Sequence, residues 1–362
     1  MKRTLLILAL ALSAMSAHAA DMQPKIANCV ASPETQFSIP IQKAAEADLE
    51  AGFGERYYHE GKMSLAIPAF NRALQLDPCN GRAHYYSWRF NVLGGHIAAA
   101  RQQLDFAHEL APEDAQIQKT WAAVQAAIQM ENEPGAPRVT AIKPPRDRFF
   151  AKRLNCGGIP VLSAAIVDAD ALMLACGKVR TMLQNLPAAR RELIANGAEF
   201  HIIGEFQGTS DLPENARYRN STYVDAEGKG TDMNKRTRGV GSLLSSCGEE
   251  NLLGLPGDRY GDGSDTCIHE FAHDIMEHGL TGEQHSDIEK QYRAVVKQGL
   301  WKGAYAAVNA QEYWAELSMW YFGSHGNRIA AALTTAGPEA LREYDPGGFA
   351  LMKRIYGSPM IQ

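Results

Sequence analysis

Between residues 47 and 114 the chain alternates apolar stripes and polar faces at helical spacing, and the stripes recur. Gly61 and Gly95, Phe70 and Leu104, Ala73 and Ala107, Leu76 and Leu110, and Pro78 and Pro112 each stand 34 residues apart. A fixed period of this size marks stacked helical units that bury their apolar faces against one another. Two units follow, residues 47–80 and 81–114, and residues 115–130 read as a helix that closes the stack. Residues 131–148 carry Pro134, Pro137, Pro144 and Pro145 among charged side chains and read as a linker. Beyond it the pattern is mixed. The short apolar runs 159–163 and 200–203 predict strands, and Leu172, Ala175, Val179 and Leu183 predict a helix over 168–186. Residues 190–195 suggest a second, short helix. Residues 204–234 are polar and glycine-containing, hence loop, and 237–246 read as an edge strand or loop beside a cleft. Ile268, Phe271, Ala272, Ile275 and Met276 form one more stripe, with Ser264 or Asp265 placed to cap the helix and Gly279 placed to stop it. The expected class is α+β and helix-dominated, with a helical repeat domain over 46–130, a linker over 131–148, and a second domain with a small sheet over 149–362.

The extreme N-terminus breaks this pattern. Lys2 and Arg3 precede an apolar run from Leu5 to Leu12, followed by small residues ending Ala17-His18-Ala19. That order predicts a signal peptide over residues 1–20. The apolar run is too short to span a bilayer, so no membrane anchor is expected after cleavage. The chain is therefore expected to be exported, to a periplasm or to the medium. Hydrophobic residues at 45% and charged residues at 21% fit a globular protein. The formal net charge of −5 falls to −7 without Lys2 and Arg3. No basic run follows, which argues against a nucleic-acid partner. Cys29, Cys79, Cys156, Cys176, Cys247 and Cys267 form an even set in an oxidising compartment, so disulfides are expected. Their spacing is compatible with local pairs such as Cys156–Cys176 and Cys247–Cys267 and leaves the full pairing open.

The 34-residue period, with Tyr58, Ala66 and Ala69 in the first unit and a proline ending each, resembles the tetratricopeptide repeat. The resemblance implies either a concave face for a protein partner or a stabilising cap on the neighbouring domain. His59, His84, His96 and His108 fall in this region and read as packed or surface histidines.

The chemistry concentrates in His269-Glu270-Phe271-Ala272-His273. On a helix, residues four apart share a face. Both imidazoles can then reach one zinc ion, and Glu270 a water beside it. A catalytic zinc takes three protein ligands. A histidine six residues past His273 would complete the set, but that position is Gly279; His278 is out of register. The remaining ligand candidates are Glu312 and Glu316, four apart on a helix that continues through Leu317, Met319, Trp320, Tyr321 and Phe322. Asn309 with Glu312 has capping-box spacing, so Glu312 as a plain cap is the competing reading. A carboxylate pair in so apolar a segment is costly unless it binds something.

The H-E-F-A-H run, Tyr305, and Glu312-Tyr313-Trp314-Ala315-Glu316 together resemble the catalytic domain of anthrax lethal factor and related secreted zincins. In that pattern a tyrosine stands seven residues before the glutamate motif, as Tyr305 does here. Residues 238–241 and 246–253 resemble uncharacterised members of the group. The resemblance covers about residues 155–325. It implies one zinc per chain held by His269, His273 and Glu312, with Glu270 as general base. Tyr305 would act near the reacting carbonyl, and Glu316 would orient a ligand histidine. The implied function is an exported zinc endopeptidase acting on a peptide or protein. The rival is a protein-binding module carried by the repeats, beside a degenerate zincin domain. Intact Glu270 speaks against that rival, because a structural zinc needs no base.

Overall fold

A computed structural model of the protein describes Cys29, residues 41–326 and residues 335–358. The expected signal peptide lies outside them. The chain divides after Gln125 into two compact units.

In the first unit, α1 (Ile41–His59) pairs with α2 (Met63–Leu76), and α3 (Gly81–Leu93) pairs with α4 (Ile97–Leu110); α5 (Ala115–Glu131) follows and runs past the division. The period has a backbone cause. Gly61 and Gly95 close the two hairpins with φ of 70° and 77°, a conformation that costs a side chain-bearing residue steric strain. Phe70, Ala73, Leu104 and Ala107 are buried where the repeat placed them. The ring of Phe70 stacks on Tyr86 at 4.6 Å. His84 is packed, its two nitrogens within 2.7 Å of Gln103 Oε1 and 2.9 Å of the Pro78 carbonyl.

The second unit is built on a five-stranded mixed sheet. Strands β1 (Thr140–Arg146), β2 (Phe150–Cys156) and β3 (Ile159–Ser163) are antiparallel neighbours. Strands β4 (Glu199–Ile203) and β7 (Leu244–Gly248) add to β3 in parallel, giving the order β1-β2-β3-β4-β7. Helices α6 (Ala169–Leu183) and α7 (Pro187–Asn196) connect β3 to β4. The loop expected over 204–234 holds 3₁₀ turns and a small hairpin, β5 (Tyr223–Val224) and β6 (Gly230–Thr231), followed by the short helix α8 (Met233–Arg236). Helix α9 (Glu249–Leu253) follows β7, and α10 (Thr266–Asp274) lies on the sheet with Phe271 5.6 Å from Phe200 of β4, ring to ring. Helices α11 (Gly282–Gln298), α12 (Ala310–Tyr321), α13 (Pro338–Tyr344) and α14 (Pro346–Tyr356) complete the unit.

Two expectations need correction. Strand β1 lies inside the 131–148 stretch read as linker, so the sheet begins before Phe149. Pro144 and Pro145 read as breakers, yet β1 is an edge strand, where prolines are tolerated because no neighbour needs their missing N–H groups. The helical run that carries H-E-F-A-H does end at Gly279, as expected, but it is not one α-helix throughout. The α-helix ends at Asp274 and continues as a π turn, Ile275–Gly279. The small size of Gly279 also suits the packing, since a β-carbon there would stand 3.0 Å from that of Ala189 on α7.

The six cysteines pair as Cys29–Cys79, Cys156–Cys176 and Cys247–Cys267. Three cystines accord with an oxidising, exported environment. Among the described residues no helix is long and apolar enough to cross a membrane.

Candidate metal centre

Helix α10 starts where Asp265 accepts from the Ile268 N–H at 3.0 Å, the capping arrangement the sequence suggested. The Cys247–Cys267 disulfide fastens its first turn to β7, and Ser245 Oγ donates to the Glu270 carbonyl at 3.2 Å. Helix α12 crosses beneath it. Trp314 Nε1 donates to the Ala272 carbonyl at 2.8 Å and fixes the two helices face to face.

This crossing brings Glu312 and Glu316 against the histidine face of α10. His269 Nε2 lies 3.2 Å from His273 Nε2 and 3.1 Å from Glu312 Oε2; His273 Nε2 lies 3.5 Å from the same oxygen. The three form a group able to hold a metal ion. Glu312 Oε2 is buried and has no hydrogen-bond partner. A tetrahedral ion with ligands at about 2.0–2.1 Å sets its ligand atoms about 3.3–3.4 Å apart, so the observed triangle is the size such an ion requires. The fit extends outward. His269 Nδ1 faces Glu316 Oε1 at 3.2 Å, so the carboxylate one turn along backs the imidazole from behind. Glu316 is almost fully buried.

The charges make the same demand. Burial disfavours a charged His269, but Glu312 and Glu316 outweigh it and raise its pKa well above the ordinary imidazole value. Burial likewise opposes the charge on Glu312, yet the two imidazoles hold its carboxyl far below the usual range. Two buried carboxylates against two imidazoles need positive charge among them, supplied either by a proton on His269 or by a metal ion.

The capping reading of Glu312 is resolved by the geometry. Asn309 caps α12, its Oδ1 accepting from the Glu312 N–H at 2.8 Å. The Glu312 carboxylate points instead to the histidines. His278, on the π turn, makes only a surface ion pair with Glu277 at 3.7 Å.

A cleft of about 540 Å³ opens on the triad, and Glu270, Tyr305 and residues 239–241 line it. Burial raises the Glu270 carboxyl above the ordinary range, against the pull of His269 and His273. Residues 239–241 run along β7 through one antiparallel bridge, in which Val240 N–H donates to Ser246 O at 3.2 Å and Ser246 N–H to Val240 O at 2.9 Å. Two glycines permit this approach. A β-carbon at Gly239 would stand 2.7 Å from Glu270 Cγ, and one at Gly241 would collide with His273. Arg238 anchors the segment from below through a buried two-point pair with Glu250 at 2.5 and 2.8 Å.

Tyr305 sits on a 3₁₀ turn, its ring 6.1 Å from that of His269. Burial, and then the Glu312 charge, raise its pKa, so the phenol keeps its proton at neutral pH. Its oxygen accepts from Arg236 Nη2 at 3.2 Å, and Arg236 Nε donates to Asp225 Oδ2 at 2.8 Å. Asp225 is itself fixed by the Glu227 and Lys229 N–H groups of the β5–β6 hairpin. Sequence reading missed Arg236 and Asp225. They lie in an aperiodic polar stretch that offers no spacing signal.

Comparison of the chain with protein-family models, with curated proteins and with solved structures finds no match.

Proposed function

We propose that the protein is an exported zinc endopeptidase. The observation that carries this reading is the triangle of His269, His273 and Glu312 ligand atoms, with Glu270 beside it in an open cleft. The donor set of two imidazoles and one carboxylate suits zinc. Zinc bound there supplies Lewis acidity, polarising a carbonyl and bringing the pKa of a water to about 7. Glu270, whose pKa burial raises above the ordinary carboxylate range, takes a proton from the attacking water and passes it to the leaving amine. Tyr305, protonated and held by Arg236, donates to the carbonyl oxygen as negative charge grows on it. An extended substrate backbone pairs with the cleft-facing edge of residues 239–241. The helical hairpins of the first unit, which resemble tetratricopeptide repeats, engage a protein partner.

Glu270→Gln is the direct test. It keeps the zinc ligands and the side-chain volume, so zinc content stays unchanged while hydrolysis of a peptide library falls by about 10²–10⁴-fold. Equal turnover in the variant contradicts the assignment. The rival reading, a binding module beside a degenerate domain, predicts no hydrolysis by the wild type.

A further inference from the structure

We infer that the second unit carries a peptide-docking groove, apart from the metal cleft, that takes an extended acidic segment of another protein. The groove measures about 1040 Å³, lies within residues 130–194, and shares no lining residue with the metal cleft. Its walls are the chain after α5, the turn from β2 to β3, the second half of α6, and α7.

The groove is rigidly built. The Cys156–Cys176 disulfide joins the end of β2 to α6 at its floor. The β2–β3 turn consists of Gly157 and Gly158, with φ of 60° and 106°, and α7 seats directly on it. Arg190 Nε donates to the Gly157 carbonyl at 2.9 Å, and a β-carbon at Gly158 would stand 2.6 Å from Ile194 Cδ1. On the opposite side Arg180 pairs with Glu133 at 3.4 Å. A groove held this way needs little reordering when something enters.

Its chemistry inverts that of the chain. The protein has a formal net charge of −5, yet Arg138, Arg180, Arg190 and Arg191 line this groove against the single carboxylate of Glu133. Arg180 and Arg190 are engaged in holding the walls. Arg138 and Arg191 have no hydrogen-bond or ion-pair partner among the described residues. Between the cations the lining is mixed, with Asn155, Thr181 and Gln184 beside the apolar Pro137, Pro187 and Ile194, a residue that is 41% exposed. Unneutralised guanidinium groups around apolar surface fit carboxylates interleaved with apolar side chains. A small free anion would leave the apolar lining in water, and a lipid surface is too flat to enter a groove. The Arg180–Glu133 pair shows a wall cation already accepting a carboxylate.

The inference stands whether or not the metal cleft hydrolyses peptides, and its test avoids turnover. The probe is a short fluorescein-labelled peptide of alternating Glu and Leu, followed by anisotropy on the full exported chain carrying Glu270→Gln, with and without zinc. The expected result is binding of this peptide, none of a Lys–Leu counterpart, and affinity at least about 10-fold weaker in Arg138→Glu/Arg191→Glu at unchanged Tm. Arg138→Gln/Arg191→Gln falls between, and zinc removal changes nothing. Three results would overturn the inference: no binding of the acidic peptide, equal binding by the Glu double variant, or tighter capture of phosphatidylglycerol vesicles or inorganic phosphate through the same arginines.

Discussion

In the proposed function, Tyr305 takes its role from two other side chains. A phenol beside a developing negative charge is useful only if its proton is present and its position is fixed. Burial and the Glu312 charge keep the proton on. Arg236, held by Asp225, donates to the phenol oxygen and fixes the ring in the cleft. The guanidinium also draws electron density from the oxygen, which makes the phenol a better donor at the moment charge develops. Tyr305→Phe and Arg236→Ala should therefore each lower kcat by about 10–100-fold, with smaller changes in KM. Because both act through one hydroxyl, the double variant should be little worse than Tyr305→Phe alone. Steady-state kinetics on all three variants checks this, and fully additive losses would separate Arg236 from the tyrosine.

At the scale of elements, the metal helix is positioned by its fastenings. Cys267 lies two residues before His269, and its disulfide to Cys247 ties α10 to the strand that carries residues 239–241. Replacing both cysteines by alanine should cost about 2–4 kcal/mol of stability and weaken metal retention, read by urea unfolding and by chelator competition. An unaffected zinc affinity would mean that Trp314 and Asp265 suffice to hold the helix. A second fastening lies at the far side of the sheet. His201 of β4 is buried between Glu214, 2.5 Å from Nδ1, and Glu199, 3.1 Å from Nε2, and Arg146 of β1 reaches Glu199 at 2.5 Å. Burial opposes its charge, but the two carboxylates win and raise its pKa. Burial also opposes the charge on Glu199, and Arg146 and His201 bring that carboxyl down to about 2. A raised histidine pKa stabilises the fold fully below the unfolded value of about 6.5, and the contribution fades as pH rises through the folded value. The Glu199 contribution is present above about 4.5 and is lost as pH falls toward 2. His201→Gln should thus destabilise by about 2–4 kcal/mol at pH 6, with Glu199 partly solvated, and by less at alkaline pH. Urea midpoints across that range measure it; a gap independent of pH would show that the histidine is held neutral.

The same elements show what the sequence could and could not convey. Repeat spacing revealed the helical hairpins because Gly61 and Gly95 are required by backbone geometry, and such a requirement leaves a mark at a fixed period. The pairs His269/His273 and Glu312/Glu316 were readable because four-residue spacing on a helix is local, whereas the meeting of Glu312 with the histidines comes from the crossing of two helices. Strand β1 was hidden because edge strands tolerate Pro144 and Pro145, and the π turn because Ile275 and Met276 continue the apolar stripe without a break. Arg236 and Asp225 had no periodic context at all, and their meeting with Tyr305 is a product of tertiary folding.

The whole molecule combines three cystines, a helical unit, and an α+β unit whose buried carboxylates converge on two histidines. In the proposed function, this convergence holds one zinc. Elemental analysis of the protein, stripped by chelator and resupplied with zinc, tests that most directly. The expected result is about one zinc per chain, its loss in Glu312→Ala, and about 10–100-fold weaker retention in Glu316→Gln. No zinc in the wild type, or zinc kept by Glu312→Ala, would contradict it.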